Sequence, residues 1–465
     1  MLFLRIKGAG KRIIKFLFLS FIYVFSYSAV DGNIIIDEED LLFLRQLTKD
    51  VLESSRIYPT QKLPEPFGVN NTGGVLIRPG GKDTYPAFWI RDYAMSLETG
   101  FIKPEEQKHM LLLTAKTQCD QTWITQSENA MIPVGAIADH ILVDTGLPIY
   151  FPGTYDYNLQ GSKQNQYGLF PPYCDQFFFI KMAYYYIKST SDINILVAKI
   201  NGKSLLDRLE LAFNVPPTKK NDNLVFTVEP FNGVDFGFRD AIHITGELCF
   251  PSILKYKAAK ELSELYSRIK DNDKATEYNL IALNIKRKLN KTFLNENGML
   301  NASTGKSAQP DVWATALAIF MGLLNGDDQI KASNHLRNAY KNGKLAHEGN
   351  IRHIITDEDF NKTTAWEVAK VPKNIYQNGS FWGTPTGWVA YAISLVDTNS
   401  ARQLVKEYIE HLKKYDYRKG ENFGAPYECI FGDFYKRGPV YLTSVSCPFI
   451  VLNADYNAMK EHQER

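Results

Sequence analysis

Cysteine is scarce in this chain and carries no pattern. The five in 465 residues, Cys119, Cys174, Cys249, Cys429 and Cys447, show no Cys-x-x-Cys spacing, which excludes a zinc knuckle and a dense disulfide framework. Their odd number leaves at least one thiol unpaired. The eight histidines are equally dispersed, and His347 with His353 lacks the i, i+4 spacing that sets two imidazoles on one helical face. No twelve-residue calcium loop occurs, although Lys270–Lys274 carries a faint acidic echo of one. No metal site and no cofactor are therefore expected. Charge of one sign is not in excess either, at a net +2, which gives no electrostatic reason to seek nucleic acid. Linkers rich in Pro, Gly or Ser are missing, so the chain reads as one large domain.

The one long apolar run is short for a membrane span and sits at the start. Arg5, Lys7, Lys11, Arg12 and Lys15 form a basic region without acids, followed by apolar residues from Phe16 to Phe25 and small ones at Ser26, Ser28 and Ala29. This is the pattern of a secretory signal peptide over residues 1–29, with no following Cys to take a lipid. Export, to a periplasm or the exterior, and no stable membrane insertion after cleavage are expected. Cleavage leaves 48 basic against 51 acidic residues, about −3. Residues 30–465 are then the functional domain.

Helical periodicity recurs through most of that domain, with clear examples at Leu41–Leu52, Met110–Thr117, Phe177–Ile187, Ile253–Ile269, Tyr278–Phe293, Trp313–Leu324, Trp388–Val396 and Leu404–Leu412. The segments come in neighbouring pairs, as in Ile253–Ile269 and Tyr278–Phe293 across the short turn Lys270-Asp271-Asn272-Asp273, which predicts antiparallel hairpins. Longer loops rich in Gly, Pro, Trp and Tyr lie between the pairs, at 67–86, 150–172, 221–246, 374–387 and 419–439. The expected fold is all-α: about six hairpins, closing as an (α/α)6 toroid with its long aromatic loops over one funnel mouth. A superhelical array of the same hairpins is the alternative.

The stretch Phe88-Trp89-Ile90-Arg91-Asp92-Tyr93, opening a helix, suits the floor of a sugar pocket. An indole face stacks on a pyranose ring, and a guanidinium with a carboxylate offers a donor fork and an acceptor to paired hydroxyls. A buried Arg–Asp pair with a core Trp is the competing reading.

This stretch is followed in order by Pro172-Tyr173-Cys174-Asp175-Gln176-Phe177, Gly237-Phe238-Arg239-Asp240, Gln309-Pro310-Asp311-Val312-Trp313 and Tyr376-Gln377-Asn378-Gly379-Ser380-Phe381-Trp382. The set resembles the six-hairpin glycosidases, the superfamily of glucoamylase-like, trehalase-like and processing-glucosidase-like enzymes, over most of the domain. The resemblance implies a carbohydrate substrate and puts the Trp-x-Arg-Asp stretch at the subsite for the non-reducing sugar. Trp89, Arg91, Asp92, Gln377 and Trp382 are the expected substrate-binding residues; Trp382 is read as facing sugar and Trp388 as packing into the next helix.

Glycoside hydrolysis needs a protonated carboxyl to assist the leaving oxygen and an ionised one to activate water or attack. In the segment 229–240 an acid among Phe231, Phe236 and Phe238 would lose solvation, which raises its pKa. Asp240 best fits the place of the general acid in the resembled superfamily, and Asp235 comes next. Arg239 would spoil Asp240 as an acid if its guanidinium faced that carboxylate, and an Asp that merely caps the next helix is the plain alternative. Glu428, on the aromatic loop ahead of the last predicted helix, matches the place of the general base, with Glu367 as rival. Three readings follow: an inverting glycoside hydrolase acting at a non-reducing end; a polysaccharide lyase on the same toroid, which could enlist His243, Tyr376 and Arg352; and a non-catalytic carbohydrate-binding protein, which leaves Asp240 and Glu428 unexplained.

Overall fold

The computed structural model describes residues 34–82, 84–124, 130–152, 168–227 and 231–463; the expected signal peptide lies outside them. Twelve α-helices are found among these residues: α1 (Glu38–Ser55), α2 (Ile90–Ser96), α3 (Pro104–Lys116), α4 (Tyr173–Thr190), α5 (Leu205–Phe213), α6 (Cys249–Arg268), α7 (Asn272–Phe293), α8 (Val312–Phe320), α9 (Gly326–Lys341), α10 (Thr386–Ser394), α11 (Thr398–Lys414) and α12 (Thr443–Gln463). Several start at an aspartate whose side chain accepts a free backbone N–H of the first turn: Asp37 for α1, Asp271 for α7, Asp311 for α8 and Asp397 for α11. The acidic echo in the turn after α6 is thus a helix cap.

The even-numbered helices form an inner ring. Helix α2 packs on α4, α4 on α6, α6 on α8, α8 on α10, α10 on α12, and α12 returns to α2, so the ring is closed. The odd-numbered helices lie outside it, α7 on α6, α11 on α10 and α1 on α12. Residue pattern explains the layering. Inner α8 buries eight of its nine residues, Val312 to Ile319, while outer α7 buries only Tyr278, Ala282, Ile285, Leu289 and Phe293, a single stripe of helical spacing. The toroid is thus the expected one, and the array alternative is excluded by the α12–α2 contact.

Connections alternate in length. Within a hairpin they are short, such as residues 269–271 between α6 and α7 and 395–397 between α10 and α11; the connections that lead into α2, α4, α6, α8, α10 and α12 are long. All six inner helices therefore begin at the same end of the ring. The long loops carry small sheets that sequence periodicity did not reveal. One pairs Ala87–Trp89 with His140–Leu142 and that strand with Pro148–Ile149. Another, of five strands, runs Ala346–His347, Asn350–Arg352, Phe381–Trp382, Tyr427–Phe431, Tyr435–Pro439, antiparallel throughout.

Candidate active site

The residues singled out in sequence converge at the end of the ring where the inner helices start. Strand Ala87–Trp89 runs straight into α2, so Trp89, Arg91 and Asp92 stand at its first turn. Arg91 and Asp92 are buried, and their charged groups meet at 3.3 Å. Arg91 also reaches Asp139 at 3.5 Å, lies over the Phe238 ring at 5.1 Å and passes so close to Gly237 that a Cβ there would fall 1.6 Å from Nη1. Only glycine at 237 admits the guanidinium. Asp92 accepts the Tyr441 hydroxyl at 2.7 Å. Trp89 is partly exposed, but His140 stacks on one face, centroids 4.3 Å apart, and Tyr85 stands edge-on at 5.3 Å. His140 in turn bonds Asp139 at 2.8 Å, and despite burial this contact and Arg91 hold Asp139 below the usual carboxylate range.

Asp240 follows a single 3-10 turn, Gly237–Arg239. Its carboxyl is buried, and burial pushes its pKa up to about 7, against the charge of Arg91 and the Gln377 amide; Asp139 and Glu428 add to the rise. The neighbouring Arg239 does not face it. The Arg239 guanidinium points into the core, to Asp235 at 3.1 Å and Asp311 at 2.7 Å, all three residues buried. Asp235, the next candidate for the general acid, is therefore the partner of a core arginine. Burial lifts its pKa to about 6 even so, and it also accepts its neighbour's backbone N–H at 2.7 Å.

Glu428 lies on strand Tyr427–Phe431, 1% exposed. Arg437 on the adjacent strand donates Nε to its Oε2 at 3.1 Å, and the Tyr85 hydroxyl donates to the same oxygen. Burial raises its pKa, opposed by Arg437 and by the Tyr85 and Tyr376 hydroxyls. Arg437 is thus its paired cation, and burial leaves it more basic than a free glutamate. The rival Glu367 accepts the Ser307 N–H at 2.7 Å and the Thr245 hydroxyl at 3.2 Å, so it ties two loops together. Arg352 is committed elsewhere as well, to Asp359 at 2.7 Å and the Gly379 carbonyl at 2.8 Å, while burial lowers the His243 pKa to about 4.

Two expected sugar ligands are corrected by burial. Trp382 is fully buried against Phe238, Trp313, His353 and Tyr376, so neither of its faces is open to a sugar. Its loop is aromatic because it fills this buried cluster. Trp388 packs inside, as read. Gln377 is also fully buried, and its amide is spent on the protein. Sequence reading missed Tyr85, Asp139, His140, Arg437 and Tyr441; only Tyr85, four residues ahead of Trp89 in an aromatic loop, left a signal. Among the described residues no cluster of three potential metal ligands occurs.

No family model and no curated protein matches this sequence. Its fold does match solved structures. Glucoamylase from Saccharomycopsis fibuligera superposes with a TM-score of 0.55 at 11% identity, over 93% of this chain and 98% of that one. A mannosylglycerate hydrolase from Thermus thermophilus, solved with glucose, gives 0.51 at 12%, over 88% and 99%. A rhamnosidase from Klebsiella oxytoca, solved with rhamnose, gives 0.51 at 12%, over 90% of this chain, which spans 64% of that enzyme's length. With so little identity the likeness is one of architecture: the chain shares the (α/α)6 fold of these proteins.

Proposed function

We propose that this chain is a glycoside hydrolase that cleaves at the non-reducing end of an oligosaccharide or polysaccharide, with inversion. Asp240 gives its proton to the leaving oxygen, and Glu428 takes a proton from the water that attacks the anomeric carbon. Trp89, partly exposed, faces the terminal sugar, and the buried Arg91–Asp92 pair, the competing reading of that stretch, braces the floor behind it. The observation that carries this reading is the contrast between two buried carboxyls. Asp240 is half protonated near neutral pH and meets an amide, whereas Glu428 is paired with Arg437. A neutral donor beside one carboxyl and a cation beside the other is the contrast expected of an acid and a base. The structural neighbours named above are active on, or bound to, sugars. The basic and apolar run over residues 1–29 supports export, with a mature N-terminus between Ser26 and Gly32 as the expected mass-spectrometric result.

A panel of aryl glycosides and disaccharides, read by released reducing sugar and by NMR of the first anomer formed, tests the reading. Asp240→Asn and Glu428→Gln are expected each to lose on the order of 10²–10⁴ in rate. A product absorbing as an unsaturated uronate would instead make it a lyase, and binding without turnover on every substrate would make it a lectin-like protein.

A further inference from the structure

We propose that Gln377 is a positioning residue that decides which oxygen of Asp240 carries the transferable proton: Oδ1 is held as an acceptor, and Oδ2 is the donor to the leaving group. The inference rests on Asp240 being the general acid.

The orientation of the Gln377 amide is fixed by chemistry. Its Oε1 faces the backbone N–H of Ala241, which can only donate. Its Nε2 faces the Gly237 carbonyl at 3.3 Å, which can only accept, and Asp240 Oδ1. Turning the amide over would set donor against donor and acceptor against acceptor in a buried site. Oδ1 therefore receives an N–H in either protonation state of the carboxyl, and the proton resides on the other oxygen. Gln377 bridges both ends of the segment that carries the acid, since Gly237 and Ala241 flank it.

The loop that presents Gln377 is itself locked. Tyr376 has a left-handed backbone (φ 49°), strained for a residue with a side chain, and is held there because Asn374 N–H donates to Asn378 O at 2.7 Å and Ser380 N–H to Tyr376 O at 3.1 Å. Buried Arg352 ties down Gly379 O, and the Trp366 indole donates to Gln377 O at 3.0 Å. With no exposed surface, the amide cannot also bind a sugar.

The charged or titratable groups that face Asp240 are Arg91 from α2, Asp139 ahead of strand His140–Leu142, Glu428 from strand Tyr427–Phe431 and Tyr376 from the loop beside it. Changing Gln377 to Met removes the amide and leaves all four. Two readouts apply. Infrared difference titration, with the Asp240 band assigned by its loss in Asp240→Asn, should show the protonated C=O stretch move to higher wavenumber in Gln377→Met. In kinetics, kcat should fall on the order of 10–100-fold with KM nearly unchanged, and the basic limb of kcat/KM should move up by about one pH unit, since a donor to the ionised form is gone. Gln377→Glu keeps the acceptor for Ala241 and replaces the donor by a second carboxyl, so its basic limb should move further up; it serves if the methionine variant does not fold. A raised KM with an unmoved limb would make Gln377 a sugar ligand, and lost stability with an unmoved band and limb would make it a mere packing residue; either overturns the proposal. If the protein hydrolyses no glycoside, the functional reading fails by itself, and the infrared band still decides the Gln377–Asp240 contact.

Discussion

Adjacent charges on a chain need not see each other. Arg239 precedes Asp240, yet the turn between them sends the guanidinium into the core and the carboxyl to the mouth of the ring. Sequence alone could not choose between these directions, because one residue of backbone rotation decides them. Removing that cation, as in Arg239→Met, leaves Asp235 and Asp311 buried without compensation. A loss of about 3–5 kcal/mol is expected in denaturant unfolding. Asp240 itself makes stability depend on pH with a definite sign. Its folded pKa of about 7 lies above the unfolded value, so between roughly pH 4 and 7 only the folded state keeps the proton, and stability falls as pH rises through that window. Asp240→Asn removes the penalty. Its Tm relative to the parent should therefore rise from pH 4 to pH 8, by an amount equivalent to about 4 kcal/mol at the upper bound. A constant difference across pH would mean that the carboxyl stays ionised. The acids on aromatic loops were legible in the sequence because chemistry demands carboxyls there. Their partners were not: Tyr441 meets Asp92 and Tyr85 meets Glu428 across more than 340 positions of chain, and no local pattern encodes such a contact.

At the level of elements, legibility followed burial. Helices that present a broad apolar stripe, such as α4 and α6, were readable from their 3.6-residue period. Helix α9 was not singled out, since it buries only Ala332, Ser333, Leu336 and Ala339, and α5 is nine residues long. The strands of the loops are two to five residues in length, too short for alternation to show. One of them is decisive for the base. Strand Tyr435–Pro439 pairs with Tyr427–Phe431 so that Cys429 faces Arg437 and Tyr427 faces Pro439, which leaves Gly438 beside Glu428. Gly438 has φ +57°, and a Cβ on it would meet Glu428 Cβ at 2.6 Å and Oε2 at 2.9 Å. Gly438→Ala is therefore expected to tilt the base and lose on the order of 10²-fold in kcat, while circular dichroism reports an unchanged helix content. Retained activity would mean that the hairpin yields without moving Glu428.

For the whole molecule, the sixth hairpin differs from the other five. It joins α1 to α12, the first and last described helices; α1 buries Leu44, Leu47 and Val51 without exposed surface, and its Thr48 hydroxyl lies 3.4 Å from the Val445 carbonyl, 397 positions away. Leu47→Ala should cost about 2–5 kcal/mol. Because the inner ring is continuous, tryptophan fluorescence from its centre and far-ultraviolet dichroism should lose signal at one denaturant midpoint; two midpoints would show the seam opening ahead of the rest. That seam also orders events in time. A growing polypeptide can fold its early hairpins as they appear, but the surface of α1 that awaits α12 stays uncovered until α12 itself has been synthesised. Closing the ring is thus a search between distant segments, slow by its topology and open to mispairing with another copy, so the arrival of α12 decides whether five finished hairpins become a ring.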